Sequence, residues 1–359
     1  MFLRALAVIT IMYDEVYQKH SPWFSHPENP RRLQIALRGI QENLPTRKYR
    51  IEKPDKAEWE LIEEVHVKGY VEYIKRLSDK APAEVDPDTY ISKGTLDAAL
   101  HAIGGLIKSV HMYIHGKGSL FLGLVRPPGH HAGKAGKAFG APTQGFCIFN
   151  NIAVACKYLL DRVKLTKRIC IIDFDVHHGN GTQEIFIDDP RVLHIDFHQD
   201  PRTLYPGTGF PEDIGIGEAE GTKINIILPP LAGDDIYSDA IEFAINIIEQ
   251  FKPSVILFSA GFDAYNNDGL SNLKITTNIF HKLSYSIIKE LRPLLIIASL
   301  EGGYSEGLRR GLPAYIKGLL LMDLGDLKEP STRSFSRTIA RYRESKERLK
   351  RILRDYWSI

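Results

Sequence analysis

Residues 169–181 decide the fold class, and they read Ile169-Cys-Ile-Ile-Asp173-Phe-Asp175-Val-His177-His178-Gly-Asn180-Gly181. A short, continuous apolar run leads directly into acids, histidines and glycines. Such a run is typical of a strand that is covered on both faces, as in parallel sheets flanked by helices. The polar residues then fall at the carboxyl end of the strand, where open α/β sheets build their sites.

The same pattern recurs along the chain. Six further apolar runs predict buried strands at residues 6–13, 119–125, 192–197, 224–228, 255–259 and 294–300. Segments of helical periodicity lie among them at residues 31–41, 96–114, 148–160, 236–251 and 275–291. Alternating strands and helices predict an α/β fold with a mostly parallel sheet. No repeat or linker divides the chain, so we expect a single domain over residues 1–359.

The bulk composition excludes several classes of protein. With 43% hydrophobic and 25% charged residues, the chain resembles an ordinary globular protein. Its 46 basic and 44 acidic residues give a net charge of +2, which offers no reason to expect nucleic acid or a membrane as partner. Cys147, Cys156 and Cys170 form no C-x-x-C pair, which argues against a disulfide framework or a thiolate zinc site.

The two ends of the chain predict different elements. The apolar run 6–13 is short and leads into acidic residues, so a buried strand is favoured over a signal peptide. No other run approaches the roughly 18–20 residues that span a bilayer, and we expect a cytoplasmic protein. Residues 332–359 mix Arg and Lys with apolar positions. They predict a basic terminal helix that docks on the body, with a basic interaction surface as the alternative.

Asp173, Asp175 and His177 occupy every second position and therefore project from one side of an extended chain. Two carboxylates on one face of an apolar strand repel each other unless a cation neutralises them. The imidazole in the same row favours a metal ion, and Asp263, in a glycine-flanked loop after residues 255–259, is the best third ligand. Taken singly, each residue fits equally well as a helix cap, an ion-pair partner or a buried histidine. Taken together, Asp173, Asp175, His177 and Asp263 favour a metal site.

Two other predicted strand ends carry reactive side chains. His130 and His131 follow Arg126-Pro-Pro-Gly129, and beside a metal they would form a general-base and electrostatic pair. Tyr304 follows two glycines, and its phenol could polarise a carbonyl. Without the metal cluster, both motifs are weak evidence and fit ordinary surface turns.

Together these motifs resemble the histone deacetylase and acetylpolyamine amidohydrolase family, in its class II-like and prokaryotic branch. The resemblance covers nearly the whole chain, and it rests on the stretches His26-Pro-Glu-Asn-Pro-Arg31-Arg32, Arg126-Pro-Pro-Gly-His-His131, Gly145-Phe-Cys-Ile-Phe-Asn-Asn151, Asp173-Phe-Asp-Val-His-His-Gly-Asn-Gly-Thr-Gln183, Tyr205-Pro-Gly-Thr-Gly209, Ala260-Gly-Phe-Asp263 and Leu300-Glu-Gly-Gly-Tyr304. It implies the arginase/deacetylase fold, in which a sheet of about eight strands has helices on both faces and the active site lies at the strand carboxyl ends.

The resemblance also implies roles for individual residues. Asp175, His177 and Asp263 would bind Zn²⁺, with Fe²⁺ or Co²⁺ as alternatives. His130, His131 and Tyr304 would be catalytic. Asp173 would support His130, Asn180 would stand behind His131 where some relatives have an aspartate, and His178 would lie just outside the ligand set. A structural K⁺ or Na⁺ is expected at Asp173, Asp175, His177 and Asp196, where Asp196 replaces the usual serine.

A narrow tunnel for the substrate is implied as well. Gly145, Phe146 and Tyr205 would wall it, although an apolar ring is commoner than tyrosine at the last position. Asp88 loosely matches the rim aspartate that holds the substrate backbone, and Arg32 matches the arginine of an internal channel. Residues 133–144 are an insertion that is a candidate lid or homo-oligomer contact.

The expected reaction is hydrolysis of an acylated amine to a carboxylate and a free amine. Polyamine-selective relatives carry a rim glutamate seven residues after the last ligand, where this chain has Leu270. Acyl-lysine-like substrates are therefore favoured, with acetylpolyamines or small acyl amides as the alternative.

Two rival functions belong to other classes. A dimanganese ureohydrolase needs Asp-x-His-x-Asp, but Gly179 follows His177 at that spacing and Tyr265 follows Asp263. A non-catalytic binding member of the family is the second rival, and the presence of Tyr304 argues against it.

Overall fold

An eight-stranded, fully parallel sheet forms the centre of the structure, a computed structural model that describes residues 8–359. Its strands are β1 (Ile9–Met12), β2 (Tyr49–Glu52), β5 (Leu120–Gly123), β6 (Ile169–Asp173), β7 (Val192–Gln199), β8 (Lys223–Leu228), β9 (Val255–Ala260) and β10 (Leu295–Leu300). A separate antiparallel hairpin consists of β3 (Ala83–Asp86) and β4 (Thr89–Ile91). The predicted α/β class and the parallel sheet of about eight strands are confirmed.

The strand order is β2-β1-β5-β10-β9-β6-β7-β8. Every predicted apolar run overlaps one of the strands, although residues 6 and 7 of the run 6–13 lie outside the described part of the chain. β2 and the β3–β4 hairpin were not predicted. β2 is an edge strand whose Arg50 and Ile51 are exposed, so it lacks the continuous apolar run of a central strand.

Helices cover both faces of the sheet. They are α1 (Arg31–Asn43), α2 (Trp59–Glu63), α3 (Lys68–Asp79), α4 (Thr95–Ile114), α5 (Asn151–Lys157), α6 (Asn180–Ile185), α7 (Asp234–Phe251), α8 (Thr277–Ser286), α9 (Leu312–Leu319) and α10 (Ser336–Leu353). Along β10, Ile296 belongs to the core under α1 and α7–α10, whereas Ile297 belongs to the core under α2–α5. This alternation by two is what a strand buried on both faces requires.

Asn150 links a helix start to the region of the site. Its side chain accepts a hydrogen bond from Ala153 N at 3.0 Å, so that α5 begins at residue 151 and not at the predicted 148. The amide nitrogen of the same side chain donates to Ala132 O (3.2 Å) and Thr182 Oγ1 (3.1 Å). The cap of α5 therefore also holds the loop that follows β5.

The terminal helix α10 lies against α7 and β8. Leu349 and Leu353 are buried, and Tyr342 donates a hydrogen bond to Asp239 Oδ2 at 2.7 Å. Within residues 8–359 we find no helix with the length and apolar character needed to cross a membrane.

Candidate active site

Four adjacent strands in the middle of the sheet supply the candidate site. The segments after β5, β6, β9 and β10 carry, respectively, the His130–His131 pair, Asp175 with His177, Asp263, and Tyr304. Because neighbouring parallel strands end at the same edge, residues far apart in sequence meet here. All of these side chains except that of Asp263 line a cavity of about 300 Å³.

Asp175, His177 and Asp263 form a tight donor cluster. His177 Nδ1 lies 2.9 Å from Asp175 Oδ1 and 3.2 Å from Asp263 Oδ2. Backbone amides orient both acids, since Gly302 N donates to Asp175 Oδ2 (2.7 Å) and Val176 N donates to Asp263 Oδ1 (3.0 Å). A Cβ at Gly302 would collide with both carboxylates, so glycine is needed for this approach.

The electrostatics of the cluster fit a bound cation. Burial and the charge of Asp175 raise the pKa of Asp263 to about 6. Burial would also raise the pKa of Asp175, but the positive charges of His130 and His177 outweigh it and lower that pKa. Two buried carboxylates with one imidazole are a donor set for a divalent metal with an open coordination position. The residues present therefore fit the metal that the sequence predicted.

The two adjacent histidines are each held from behind. His130 Nδ1 lies 3.0 Å from Asp173 Oδ2, and His131 Nδ1 lies 2.8 Å from Asn180 Oδ1. The ring centroids are 3.9 Å apart. With each Nδ1 occupied, the Nε2 atoms are left for the cavity.

The pKa values of this pair move in opposite directions. Burial alone would lower the pKa of His130, but the carboxylates of Asp173 and Asp175 raise it well above its ordinary value. Burial, His130 and His177 lower the pKa of His131 well below its ordinary value. One histidine is therefore a cation and the other a neutral base, the separation that acid–base catalysis uses.

Tyr304 borders the cavity on a turn held from two sides. Its backbone N–H donates to Asp268 Oδ2 at 2.9 Å, and the Arg32 guanidinium lies 4.6 Å from its ring centroid. Arg32 also donates to Gly303 O (2.8 Å) and to Glu301 O. Burial raises the pKa of Tyr304 well above its ordinary value, so the phenol keeps its proton at neutral pH. These contacts place Arg32 beneath the tyrosine; the internal channel stays a prediction.

Aromatic side chains form the walls of the cavity. Phe146 contacts Tyr304 edge-on (6.0 Å between centroids), and Tyr205 contacts His131 in the same manner (5.0 Å). Phe146 has φ +68°, a conformation that costs a non-glycine residue about 1–2 kcal/mol. This strained backbone lies where the Phe146 ring borders the cavity, and backbone strain is often found at functional sites.

The predicted substrate-binding residues all border this cavity. The full lining comprises Asp88, Pro128, His130, His131, Gly145, Phe146, Asp175, His177, Leu204, Tyr205, Leu270, Gly302 and Tyr304.

At the rim, Asp88 accepts hydrogen bonds from Thr89 Oγ1 (2.8 Å) and from Thr143 Oγ1. Thr143 belongs to the insertion 133–144, and its carbonyl accepts a hydrogen bond from Tyr205 at 3.0 Å. The insertion thus forms part of the rim of its own chain.

Asp196 and His178 lie behind the ligand loop. Asp196 accepts hydrogen bonds from Gly179 N (2.8 Å) and His198 Nδ1 (2.7 Å). His178 contacts Thr208 Oγ1 at 2.8 Å through Nδ1 and is buried away from the cavity. Neither side chain borders the cavity.

Three buried residues that support the site, Glu28, Arg126 and Glu301, had no predicted role. Glu301 accepts from Gly129 N (2.7 Å) and His130 N (3.2 Å) and so holds the histidine loop. Glu28 pairs with Arg126 in a fully buried ion pair. Glu28, Arg126 and Glu301 all lie inside the quoted motifs, and the available sign was a charged residue directly beside a proline or a glycine.

Comparisons with known proteins place the chain in a family. A model of the histone deacetylase domain matches residues 26–319. A probable deacetylase of Archaeoglobus fulgidus is 36% identical over 98% of this chain and 99% of its own, and a protein of Methanocaldococcus jannaschii is 43% identical over 86% of each chain. The crystal structure of the HDA15 HD domain superposes with a TM-score of 0.84 and 27% identity, covering 98% and 96% of the two chains.

The chain therefore belongs to the histone deacetylase family. This is a family of deacetylases, which are hydrolases and in general depend on a metal, in agreement with the donor cluster described above.

Proposed function

We propose that the protein is a metal-dependent deacylase that hydrolyses the amide bond of acylated amines, with acyl-lysine-like substrates favoured. The proposal is carried by one observation: a neutral histidine, a protonated phenol and a three-residue metal donor cluster border or underlie the same cavity. The name of the archaeal relative, a probable deacetylase, agrees with it.

Asp175, His177 and Asp263 would hold the metal, which we propose to be Zn²⁺, with Fe²⁺ or Co²⁺ as alternatives that suit the same donors. When bound, such a cation supplies electrophilic activation of the amide carbonyl and lowers the pKa of a water molecule.

The chain's own side chains would then handle the protons. His131 accepts a proton from the attacking water through Nε2, because Asn180 occupies its Nδ1. Tyr304 donates a hydrogen bond to the oxyanion that develops on the carbonyl. His130 stays cationic against Asp173, and a protonated histidine of the pair returns a proton to the leaving amine. The C–N bond breaks, and a carboxylate and a free amine leave.

The walls of the cavity favour an uncharged alkyl chain next to the reacting amide. Phe146, Tyr205, Leu204 and Leu270 border it. Leu270 offers no charge to a second ammonium group, which favours acyl-lysine-like substrates over polyamines. Asp88 contributes one rim carboxylate, so acetylpolyamines and small acyl amides remain the second candidates.

The proposal also covers the domain organisation, the location and the partners of the protein. We propose one domain over residues 1–359, a cytoplasmic location and no specific nucleic-acid partner. Since Thr143 contacts both Asp88 and Tyr205 within one chain, we favour the insertion 133–144 as a rim element over an oligomer contact.

The decisive experiment is a panel assay of acetyl-lysine peptides, acetylpolyamines and small acyl amides, with bound metal counted. Metal-loaded wild-type protein should cleave at least one amide, and Asp175→Ala should lose both metal and activity. Failure of the loaded wild type on every amide would exclude the enzymatic proposal.

Tyr304→Phe separates the phenol from the metal. It should keep its metal and lose about 10²–10³-fold in kcat, the usual cost of one oxyanion donor. Tyr73→Phe, at an exposed position on α3, is the matched control and should leave kcat unchanged. Equal kcat values for the two variants would remove Tyr304 from the mechanism.

A further inference from the structure

A single peptide group, the one that joins Gly303 to Tyr304, is held by side chains at both of its ends. Its carbonyl oxygen, on Gly303, accepts a hydrogen bond from Arg32 Nε at 2.8 Å. Its N–H, on Tyr304, donates to Asp268 Oδ2 at 2.9 Å. Arg32 belongs to α1 and Asp268 to the loop after β9, so the two side chains reach the peptide from separate parts of the fold. We call Arg32, Asp268 and this peptide group the peptide clamp.

The clamped peptide has little else to fix its orientation. Gly303 has φ +116°, a conformation that glycine adopts at little steric cost, so the backbone on this side can rotate readily. Tyr304 lies in no helix or strand. Rotation of the peptide plane would turn the carbonyl and the N–H away from their partners together. The two hydrogen bonds of the clamp therefore oppose the same motion, and that motion would redirect the Tyr304 side chain.

The carboxyl of Asp268 is directed at this segment alone. Its Oδ2 also accepts a hydrogen bond from Ser305 Oγ at 2.8 Å, and its Oδ1 is buried without a partner among residues 8–359. The turn that presents it is closed by Asp268 N, which donates to Tyr265 O at 3.0 Å. Asn267, directly before it, has φ +64°, a left-handed conformation that is uncommon outside glycine. A strained turn whose acid contacts only Tyr304 and Ser305 indicates a role at the tyrosine.

We propose that Asp268 is a positioning residue of the reaction, which holds the Tyr304 phenol in place through the peptide clamp. The proposal rests on the proposed function, in which this phenol donates to the developing oxyanion. Such a donor must lie about 2.7–3.1 Å from the oxyanion, and a misplacement of about 1 Å can cost about 10²-fold in rate. Asp268 itself does not border the cavity. Without it, Arg32 would hold only the carbonyl end of the peptide.

Kinetics on the metal-loaded, full-length chain test this role. Asp268→Ala should lower kcat about 10- to 100-fold and leave KM and the metal content unchanged, because the phenol acts in the transition state. Asp268→Asn keeps an oxygen that can accept both hydrogen bonds, so its kcat should stay within about threefold of wild type. Loss of metal in Asp268→Ala would overturn the proposal, as would equal kcat values for the alanine and asparagine variants.

Asp235→Ala is the matched control. Asp235 lies at the start of α7, away from the cavity, and accepts hydrogen bonds from Ser334 N (3.1 Å) and Ser334 Oγ (2.6 Å), the same pair of donor types that Asp268 binds. This variant should keep the kcat of wild type. A fall in its kcat as large as that of Asp268→Ala would show that any loosened loop slows the enzyme, and the specific role of Asp268 would be excluded.

A double variant separates positioning of the phenol from a general loosening of the site. In Tyr304→Phe the positioned group is already absent, so adding Asp268→Ala should cost no more than about twofold in kcat. A further loss of about tenfold or more would mean that Asp268 acts on something other than Tyr304.

Hydrogen exchange tests the clamp without any activity. Peptides that contain Tyr304 should exchange faster in Asp268→Ala than in wild type, and at the wild-type rate in Asp268→Asn, as measured by mass spectrometry. Unchanged exchange in Asp268→Ala would exclude the clamp. If wild type cleaves no amide, the proposed function fails; if wild type is active and Asp268→Ala matches its kcat, only the positioning role of Asp268 fails.

Discussion

At the scale of single residues, Asn180 is the group that sets the behaviour of His131. Its Oδ1 accepts the Nδ1–H of His131 at 2.8 Å, and its Nδ2 donates to Ala138 O at 3.1 Å. A neutral amide fixes the tautomer of the ring without adding charge. Burial and the neighbouring histidines lower the pKa of His131, and the hydrogen bond to the uncharged Asn180 opposes them only in part.

Asn180→Asp should therefore shift the pH–rate profile. A carboxylate behind His131 raises the pKa of the imidazole, and the base works only when neutral, so the acid limb of kcat/KM should move to higher pH. The measurement is kcat/KM between pH 5 and pH 9. Asn246→Asp, on the outer part of α7, is the control. An unmoved acid limb would show that His131 is not the base.

Lys223 is a buried cation far from the cavity. Its Nζ donates to Val192 O (2.7 Å), Thr222 Oγ1 (2.6 Å) and Asp189 O (3.3 Å), and burial lowers its pKa to about 7. In the unfolded chain the pKa of lysine is about 10.4. Between these values the unfolded state binds more protons, so the free energy of unfolding should rise with pH.

Lys223→Met should remove that rise. Between pH 7 and pH 9.5, the free energy of unfolding of wild type should rise by up to about 1.4 kcal/mol per pH unit relative to that of the variant. Denaturant unfolding at each pH measures the difference. The exposed Lys93→Met is the control and should follow wild type. Parallel curves for wild type and Lys223→Met would contradict the lowered pKa.

The catalytic and metal-binding candidates could be located from sequence because each follows a predicted strand as a polar residue beside glycine. The supporting residues could not. Glu301 acts by accepting from Gly129 N and His130 N across 171 or more positions of sequence, and no local pattern reports such a contact. The same holds for Asp268, which fixes the Tyr304 backbone from a different loop.

At the scale of elements, burial decided what could be predicted. Strands covered on both faces show continuous apolar runs, and the runs 169–173 and 255–259 fall within a residue of β6 and β9. β2 contains only Tyr49-Arg-Ile-Glu52, half exposed, and its pairing with β1 is a tertiary event. Helix ends were set by contacts outside the periodic pattern, such as the Thr276 side chain that accepts from Asn278 N (3.2 Å) before α8.

The terminal helix α10 should stabilise the fold through its apolar face. Leu353 is fully buried, whereas Arg351 on the same turn is exposed. Leu353→Ala should lower the free energy of unfolding by about 2–5 kcal/mol, and Arg351→Ala by no more than about 0.5 kcal/mol. Denaturant unfolding of both variants gives the comparison. Equal small losses would mean that α10 is not docked as described.

At the scale of the whole molecule, stability should decline from the centre of the sheet to its edge. β9 is fully buried between β10 and β6, while β2 has one neighbouring strand and exposed side chains. Hydrogen exchange measured by mass spectrometry should show β9 amides exchanging only through global unfolding and β2 amides through local opening. Equal protection of both strands, after correction for intrinsic rates, would contradict this gradient.

The position of β10 has a consequence for synthesis on the ribosome. β10 is the last strand along the chain, yet it lies in the middle of the sheet, between β5 and β9. Until residue 300 has emerged, a nascent chain holds two separate partial sheets, β2-β1-β5 and β9-β6-β7-β8, each with an unpaired inner edge. Truncated products that end before β10 should therefore expose two apolar strand edges and aggregate.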